Sequence, residues 1–286
     1  MSSASHATLR YHGHCAFELR VAPRSSSETR DHDDDESDDG LGVLFDPWRD
    51  PSPPGRWFEP RFPRLPRRID VVASTHPHFD HDAVEAAARG HDEALLLRGG
   101  TADFRDETCD RRSFGGSSSS GDDAAALLSL TAVTDEHAPA SHAVWSVGRP
   151  AMRNTMFVVE MIAGGLRVLH MGDNRAELPA ARLKQLGRID VLFLTVDDAC
   201  HLLTFEQVTL LELTLRPRVI IPMHYAIDGL THCSAIEPQG SFGGNGLGRL
   251  ESWLEQRAEQ GGIVRRIPSN EPLRLNRSDL PSNVSE

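Results

Sequence analysis

The sequence predicts a mixed α/β domain built of layered sheets and helices. Two observations carry that expectation: short β-like runs follow one another closely in the first part of the chain, and β and α patterns alternate in the later part. A third shows where the chemistry lies. The run Thr75-His76-Pro77-His78-Phe79-Asp80-His81-Asp82 packs three imidazoles and a carboxylate into six residues, directly after a strand-like segment.

Residues 8–11, 16–21 and 42–45 are short runs with strand-like apolar patterning. Ile69-Asp70-Val71-Val72-Ala73-Ser74 is a further strand that leads into the histidine cluster. The strand series continues at 95–98, 127–133, 155–161, 166–170, 190–196, 218–222 and 263–267. Helical patterns occur at 82–88, 178–186, 205–215 and 247–260, and the last places Leu247, Leu250 and Leu254 on one face. Asp82 is the expected cap of the first helix and Thr204 that of the third. Residues 24–40, serine-rich and then acidic, and the Gly-Ser stretch 115–121 read as solvated loops that cannot bury enough apolar area to order. The polar tail 269–286 is expected to be loose.

At 286 residues and 39% hydrophobic content, the chain can bury a sizeable core in one large domain or two small ones. No apolar run approaches the roughly 18 residues needed to cross a bilayer. Residues 1–10 lack the apolar core of a secretory signal, so the expected location is the cytoplasm, without a membrane partner. Cys15, Cys109, Cys200 and Cys233 are scattered, with no Cys-x-x-Cys pair, and read as free thiols. The formal net charge is −12, and half of it lies in residues 23–40, where eight acids face Arg24 and Arg30. Lys184 is the only lysine. That balance opposes a nucleic-acid partner, because phosphate backbones require a basic footprint.

Imidazole and carboxylate are the donors that hold zinc and similar divalent ions. On an extended backbone His76, His78 and Asp80 share one face and His81 points elsewhere, so one loop could serve two ions. Further donors stand just past other strands: His137 after 127–133, Asp173 after 166–170, and His224 after Val219-Ile220-Ile221-Pro222-Met223. Gly172 permits a tight turn before Asp173. His142 rivals His137, which is preferred because it lies closer to its strand end.

The ordered set His76-x-His78-x-Asp80-His81, His137, Asp173 and His224 resembles the metal-binding motifs of the metallo-β-lactamase superfamily. Phe45-Asp46-Pro47-Trp48 resembles its first motif, an aspartate in a turn after a strand. Gly13-His14-Cys15-Ala16-Phe17, His170-Met171-Gly172-Asp173 and Pro222-Met223-His224-Tyr225 are similar to segments of its ascorbate-6-phosphate lactonase-like group. The resemblance runs from about Leu9 to Tyr225. It implies a four-layer αββα sandwich, taken here as a hydrolase domain over 7–268 with insertions at 24–40 and 115–121. It also implies two divalent ions, zinc first, with manganese or iron as alternatives. His76, His78 and His137 would hold one ion, Asp80, His81 and His224 the other, and Asp173 would bridge them. Such a pair shares a hydroxide that attacks the carbonyl carbon or phosphorus of a small ester, lactone or phosphate ester. Asp80 would also orient that hydroxide.

His14, Asn154, Asp197, His201 and Tyr225 are candidates for contact with a small-molecule substrate. His14 could also approach the metals from the first hairpin, and plainer readings stand beside these: packing for His14 and Tyr225, and a turn for Asn154. Asp46 is expected to buttress the metal loop. Three other functions compete. A phosphodiesterase or nuclease is opposed, on its nucleic-acid side, by the acidic composition. A di-iron oxidoreductase is opposed by His78, where flavodiiron relatives usually carry glutamate. A non-catalytic metal-containing binding protein is opposed by the intact ligand set. The lactonase-like resemblance also brings homo-oligomerisation as an expectation.

Overall fold

The computed structural model describes residues 6–22, 40–49, 62, 65–78, 80–100, 110–115, 126–138, 152–162, 165–196, 202–224, 246–259, 272–275 and 280. Along the chain these form β1 (His6–Tyr11), β2 (Phe17–Ala22), β3 (Leu41–Phe45), β4 (Val71–Ser74), α1 (Val84–Ala87), β5 (Leu95–Arg98), β6 (Asp110–Gly115) and β7 (Ala126–Glu136). There follow β8 (Arg153–Met161), β9 (Arg167–His170), α2 (Ala180–Leu186), β10 (Val191–Thr195), α3 (Phe205–Leu215), β11 (Val219–Met223), α4 (Gly246–Glu259) and β12 (Leu273–Leu275).

The strands make two six-stranded sheets, ordered β12-β1-β2-β3-β4-β5 and β11-β10-β9-β8-β7-β6. Both sheets repeat one plan. Antiparallel pairing runs from β12 to β3 and from β6 to β9. Parallel pairing takes over from β3 to β5 and from β9 to β11. This is the αββα sandwich: two mixed sheets face to face, with helices on the outside.

The strand sequences explain the layering. β3, β4, β10 and β11 are buried along their whole length, as strands covered on both faces must be. Their alternation assigns the faces. Val43, Phe45, Val71 and Ala73 enter the core between the sheets, while Leu44 and Val72 join Val84, Ala86 and Ala87 of α1 on the outer side. Across the interface Phe17 stacks on Phe193 with ring centroids 4.4 Å apart, a pair worth about 0.5–1.5 kcal/mol beyond its area burial. α3 begins at Thr204, whose side chain accepts from Gln207 N while the Gln207 side chain accepts from Thr204 N, a complete capping box.

Several expectations change. Asp82 does not cap α1, because its Oδ1 is taken by Arg49 Nε at 2.7 Å and the helix starts without a side-chain cap. β7 runs to Glu136, beyond the expected end at residue 133. β6 was not anticipated. The tail over 269–286 is not uniformly loose: β12 pairs with β1, and Leu275 and Leu280 are buried. Residues 24–39, 116–121 and 263–267 lie outside the described residues.

Candidate metal centre

The donors converge where the chain leaves its strands. His14 lies in the turn between β1 and β2, and Thr75 to His81 follow β4. From the second sheet come His137 after β7, Asp173 after β9 and His224 after β11. Their ligand atoms fall into two groups, each within 4.8 Å: His76, His78, His137 and Asp173, and His14, Asp80, His81 and His224. Asp173 Oδ2 stands between the groups. It lies 3.6 Å from His76 Nε2, 3.4 Å from His81 Nε2, 3.4 Å from His137 Nε2 and 3.5 Å from His224 Nε2. Asp80 Oδ2 is 3.1 Å from His14 Nε2, 3.7 Å from His81 Nε2 and 3.9 Å from His224 Nε2.

The histidine loop is not the extended segment that period-two alternation assumes. β4 ends at Ser74, and the His81 amide donates to His78 O at 2.9 Å, which turns the chain. His76 Nε2 and His78 Nδ1 nevertheless meet at 3.0 Å.

Hydrogen bonds outside the cluster set which ring nitrogen faces it. Asp46 is fully buried, with Oδ1 accepting from Thr75 N at 2.7 Å and Oδ2 from Thr75 Oγ1 at 2.8 Å. Since the Thr75 hydroxyl proton is spent on Asp46, Thr75 Oγ1 must accept from His76 Nδ1 at 3.0 Å. Asp46 Oδ2 also accepts from His81 Nδ1 at 2.8 Å, and Ala138 O accepts from His137 Nδ1 at 2.6 Å. Three rings thus have their Nδ1 protons fixed from behind and turn Nε2 inward, the arrangement that orients metal-ligating histidines. The expected buttressing role of Asp46 is visible in these contacts.

The backbone is forced at the same place. His14, Asp46 and His224 are non-glycine residues with φ of 53°, 43° and 68°. Such conformations persist only when surrounding contacts over-determine them. The His224 amide donates to His14 O at 3.0 Å, as does Tyr11 Oη at 3.0 Å. Gly172 has φ +56°, and a Cβ there would stand 2.4 Å from Thr75 Oγ1 and 2.6 Å from Asn154 Oδ1. Asn154 makes scaffold contacts here: it is buried, its Nδ2 donates to Met171 O at 2.7 Å, and its Oδ1 accepts from Asp173 N at 3.2 Å. His170 had no assigned role. Its Nε2 donates to Cys15 O at 3.0 Å and its Nδ1 accepts from Gly172 N at 3.3 Å, tying the β1–β2 turn to the Asp173 turn. Its only sequence signal is the His-x-Gly-Asp spacing. His142, Asp197, His201 and Tyr225 lie outside the described residues.

A sequence model of the beta-lactamase superfamily domain matches residues 36–224, from the acidic stretch to the last histidine of the cluster. The chain belongs to the metallo-β-lactamase superfamily. Curated relatives include the UPF0173 metal-dependent hydrolase of Aeropyrum pernix, 26% identical over 236 residues, covering 77% of this chain and 82% of the relative. That of Thermofilum pendens is 28% identical over 222 residues, covering 77% of this chain and 83% of the relative. Among solved structures, the di-iron β-hydroxylase CmlA of Streptomyces venezuelae superposes with a TM-score of 0.55 at 13% identity, over 96% of this chain and 55% of its own. Yeast PDE1 superposes with a TM-score of 0.51 at 8% identity, over 95% of this chain and all (100%) of its own. At such identities these two show the shared fold alone.

The electrostatics of the superfamily site suit a cation. Burial, reinforced by His81, holds the His76 pKa well below the ordinary value, and burial lowers that of His78. His14 is pushed down to about 3 by burial and then by His224. Neutral imidazole is the form that offers a lone pair to a metal. Burial opposes ionisation of Asp80 and Asp173, yet His81 and its neighbours hold both well below the carboxylate range. His81 is the converse: burial opposes its charge, and Asp173, Asp80 and Asp46 overcome that and raise it well above the ordinary value. The orphaned atoms test the fit. Among the described residues, His81 Nε2, His137 Nε2 and Asp173 Oδ1 are buried and make no well-formed hydrogen bond. Buried polar atoms are rarely left so. Inward-facing ring nitrogens, a shared carboxylate and buried polar atoms left unpaired together fit a divalent-metal ligand set, with the His81 proton the one a cation would displace.

Proposed function

We propose that this protein is a dinuclear metal-dependent hydrolase acting on a small-molecule ester, lactone or phosphate ester. The observation that carries the reading is Asp173 Oδ2, placed within 3.6 Å of imidazole nitrogens from both ligand groups. His76, His78 and His137 would hold one ion, Asp80, His81 and His224 the other, and Asp173 would serve both. Zinc suits five imidazoles and two carboxylates best, with manganese or iron as alternatives. Bound there, two such ions supply Lewis acidity and lower the pKa of water at the site.

The chain's own groups do the rest. Asp46, Thr75 and Ala138 O hold the Nδ1 protons of the His81, His76 and His137 rings and so fix their orientation. Asp80 stays ionised under the influence of His81 and His14. Its carboxylate is the best-placed group to orient an attacking water, because it is 15% exposed while Asp173 is 3% exposed. The small-molecule reading is supported by the net charge of −12 and the single lysine, which disfavour nucleic acid. The segments Gly13-His14-Cys15-Ala16-Phe17 and Pro222-Met223-His224-Tyr225 support the lactonase-like group in particular.

The test is elemental analysis of protein purified without chelator, joined to turnover of p-nitrophenyl phosphodiesters and simple lactones. Two divalent ions per chain are expected. Turnover should disappear on chelation, return with zinc, and fall at least about 100-fold in Asp80→Ala. Absence of bound metal, or turnover indifferent to chelation, would overturn the proposal.

A further inference from the structure

The ligand set read from the sequence leaves out one imidazole that the fold delivers to the same place. His14 reaches the second group from the turn between β1 and β2, more than sixty residues before the histidine loop. Its ring is 2% exposed, its Nε2 lies 3.1 Å from Asp80 Oδ2, and its ring centroid lies 4.3 Å from that of His224 and 5.3 Å from that of His81. The backbone supports this placement at a cost. His14 takes a left-handed φ of 53°, and its carbonyl is held by Tyr11 Oη from its own sheet and by the His224 amide from the other. A residue that merely filled space would not need a strained turn fixed from two sheets.

We infer that His14 is a fourth side-chain ligand of the second metal position, alongside Asp80, His81 and His224. This rests on the dinuclear reading and adds an asymmetry to it. The second position then has four side chains of its own besides its share of Asp173, while the first has only His76, His78 and His137. A filled ligand set characterises a structural ion and an open one a catalytic ion, so substrate would approach the first position.

Metal-free full-length protein titrated with zinc, and separately with cobalt(II), tests this. His14→Asn is the informative variant because asparagine tolerates left-handed backbone. His14→Ala is a second, with far-UV circular dichroism and urea unfolding as folding checks for both. The wild type should take up two equivalents. In the variants one equivalent should bind as in the wild type, and the other, the ion of the second position, should weaken about 10–100-fold, with a changed cobalt(II) visible spectrum. Two equivalents at wild-type affinity with an unaltered spectrum would overturn the inference and leave His14 as a hydrogen-bond partner of Asp80. A wild type that binds only one equivalent would overturn the dinuclear reading itself, and the inference with it.

Discussion

Replacing Asp46 by asparagine changes one buried oxygen to nitrogen and no volume, yet the contacts leave the amide no good orientation. Three donors converge on the carboxylate: Thr75 N at 2.7 Å, Thr75 Oγ1 at 2.8 Å and His81 Nδ1 at 2.8 Å. If the asparagine oxygen keeps the Thr75 amide, its nitrogen faces His81 Nδ1, which must then accept. The ring proton moves to Nε2, the atom aimed at the cluster. If the amide flips, its nitrogen meets the Thr75 N–H, donor against donor. Either way at least one charge-assisted hydrogen bond is lost, about 1.5–3 kcal/mol. At about 2–4 °C per kcal/mol for a domain approaching this size, the melting temperature of Asp46→Asn should fall by about 3–12 °C. Because His81 then presents a proton where a lone pair is needed, the ion of the second position should bind about 10–100-fold more weakly. Thermal melts and chelator competition measure the two effects. A destabilised variant that retains both metals at wild-type affinity would refute the assignment of the His81 tautomer.

Two further predictions concern the scaffold. Gly172→Ala should cost about 2–5 kcal/mol in urea unfolding, from overpacking against Thr75 and Asn154 together with left-handed backbone, and should loosen metal retention through the adjacent Asp173; wild-type stability would show that the turn can relax. Glu18 is buried, and burial alone would raise its pKa, but the His12 hydrogen bond and then Arg20 hold it below the ordinary 4.5. A depressed carboxylate adds stability that is present above its unfolded pKa and lost as pH falls through the folded one. Between about pH 5 and pH 3 the wild type should therefore lose more stability than Glu18→Gln, and parallel urea-midpoint curves would remove Glu18 from the acid response.

The site was more legible in the sequence than its supports were. The sequence picks out His76, His78, Asp80, His81, His137, Asp173 and His224, which the structure brings into one cluster, because polar side chains stand out beside buried strands such as Val219–Met223. The scaffold contacts of Asn154 are not legible in the sequence, because an asparagine at a strand start looks the same whether it contacts a ligand or another turn. His170 and Thr75 escaped notice because their roles exist only across long sequence distances, 155 residues in the case of His170 and Cys15. β6 was missed because Asp110-Arg111-Arg112-Ser113-Phe114-Gly115 carries little apolar signal, and as an edge strand it needs little. β12 is three residues long, too short for any period to show.

That short last strand has a consequence for how the two ends of the chain depend on each other. Leu273, Arg274 and Leu275 lie beside Leu9, Thr8 and Ala7, so the final strand closes the outer edge of the sheet whose first turn carries His14. Without it, β1 becomes an open border, a template for another chain to pair with. The carboxyl-terminal segment is therefore a clasp on the amino-terminal hairpin. Shortening the chain by a few dozen residues, far in sequence from the His–Asp cluster, would fray the edge from which His14 is delivered.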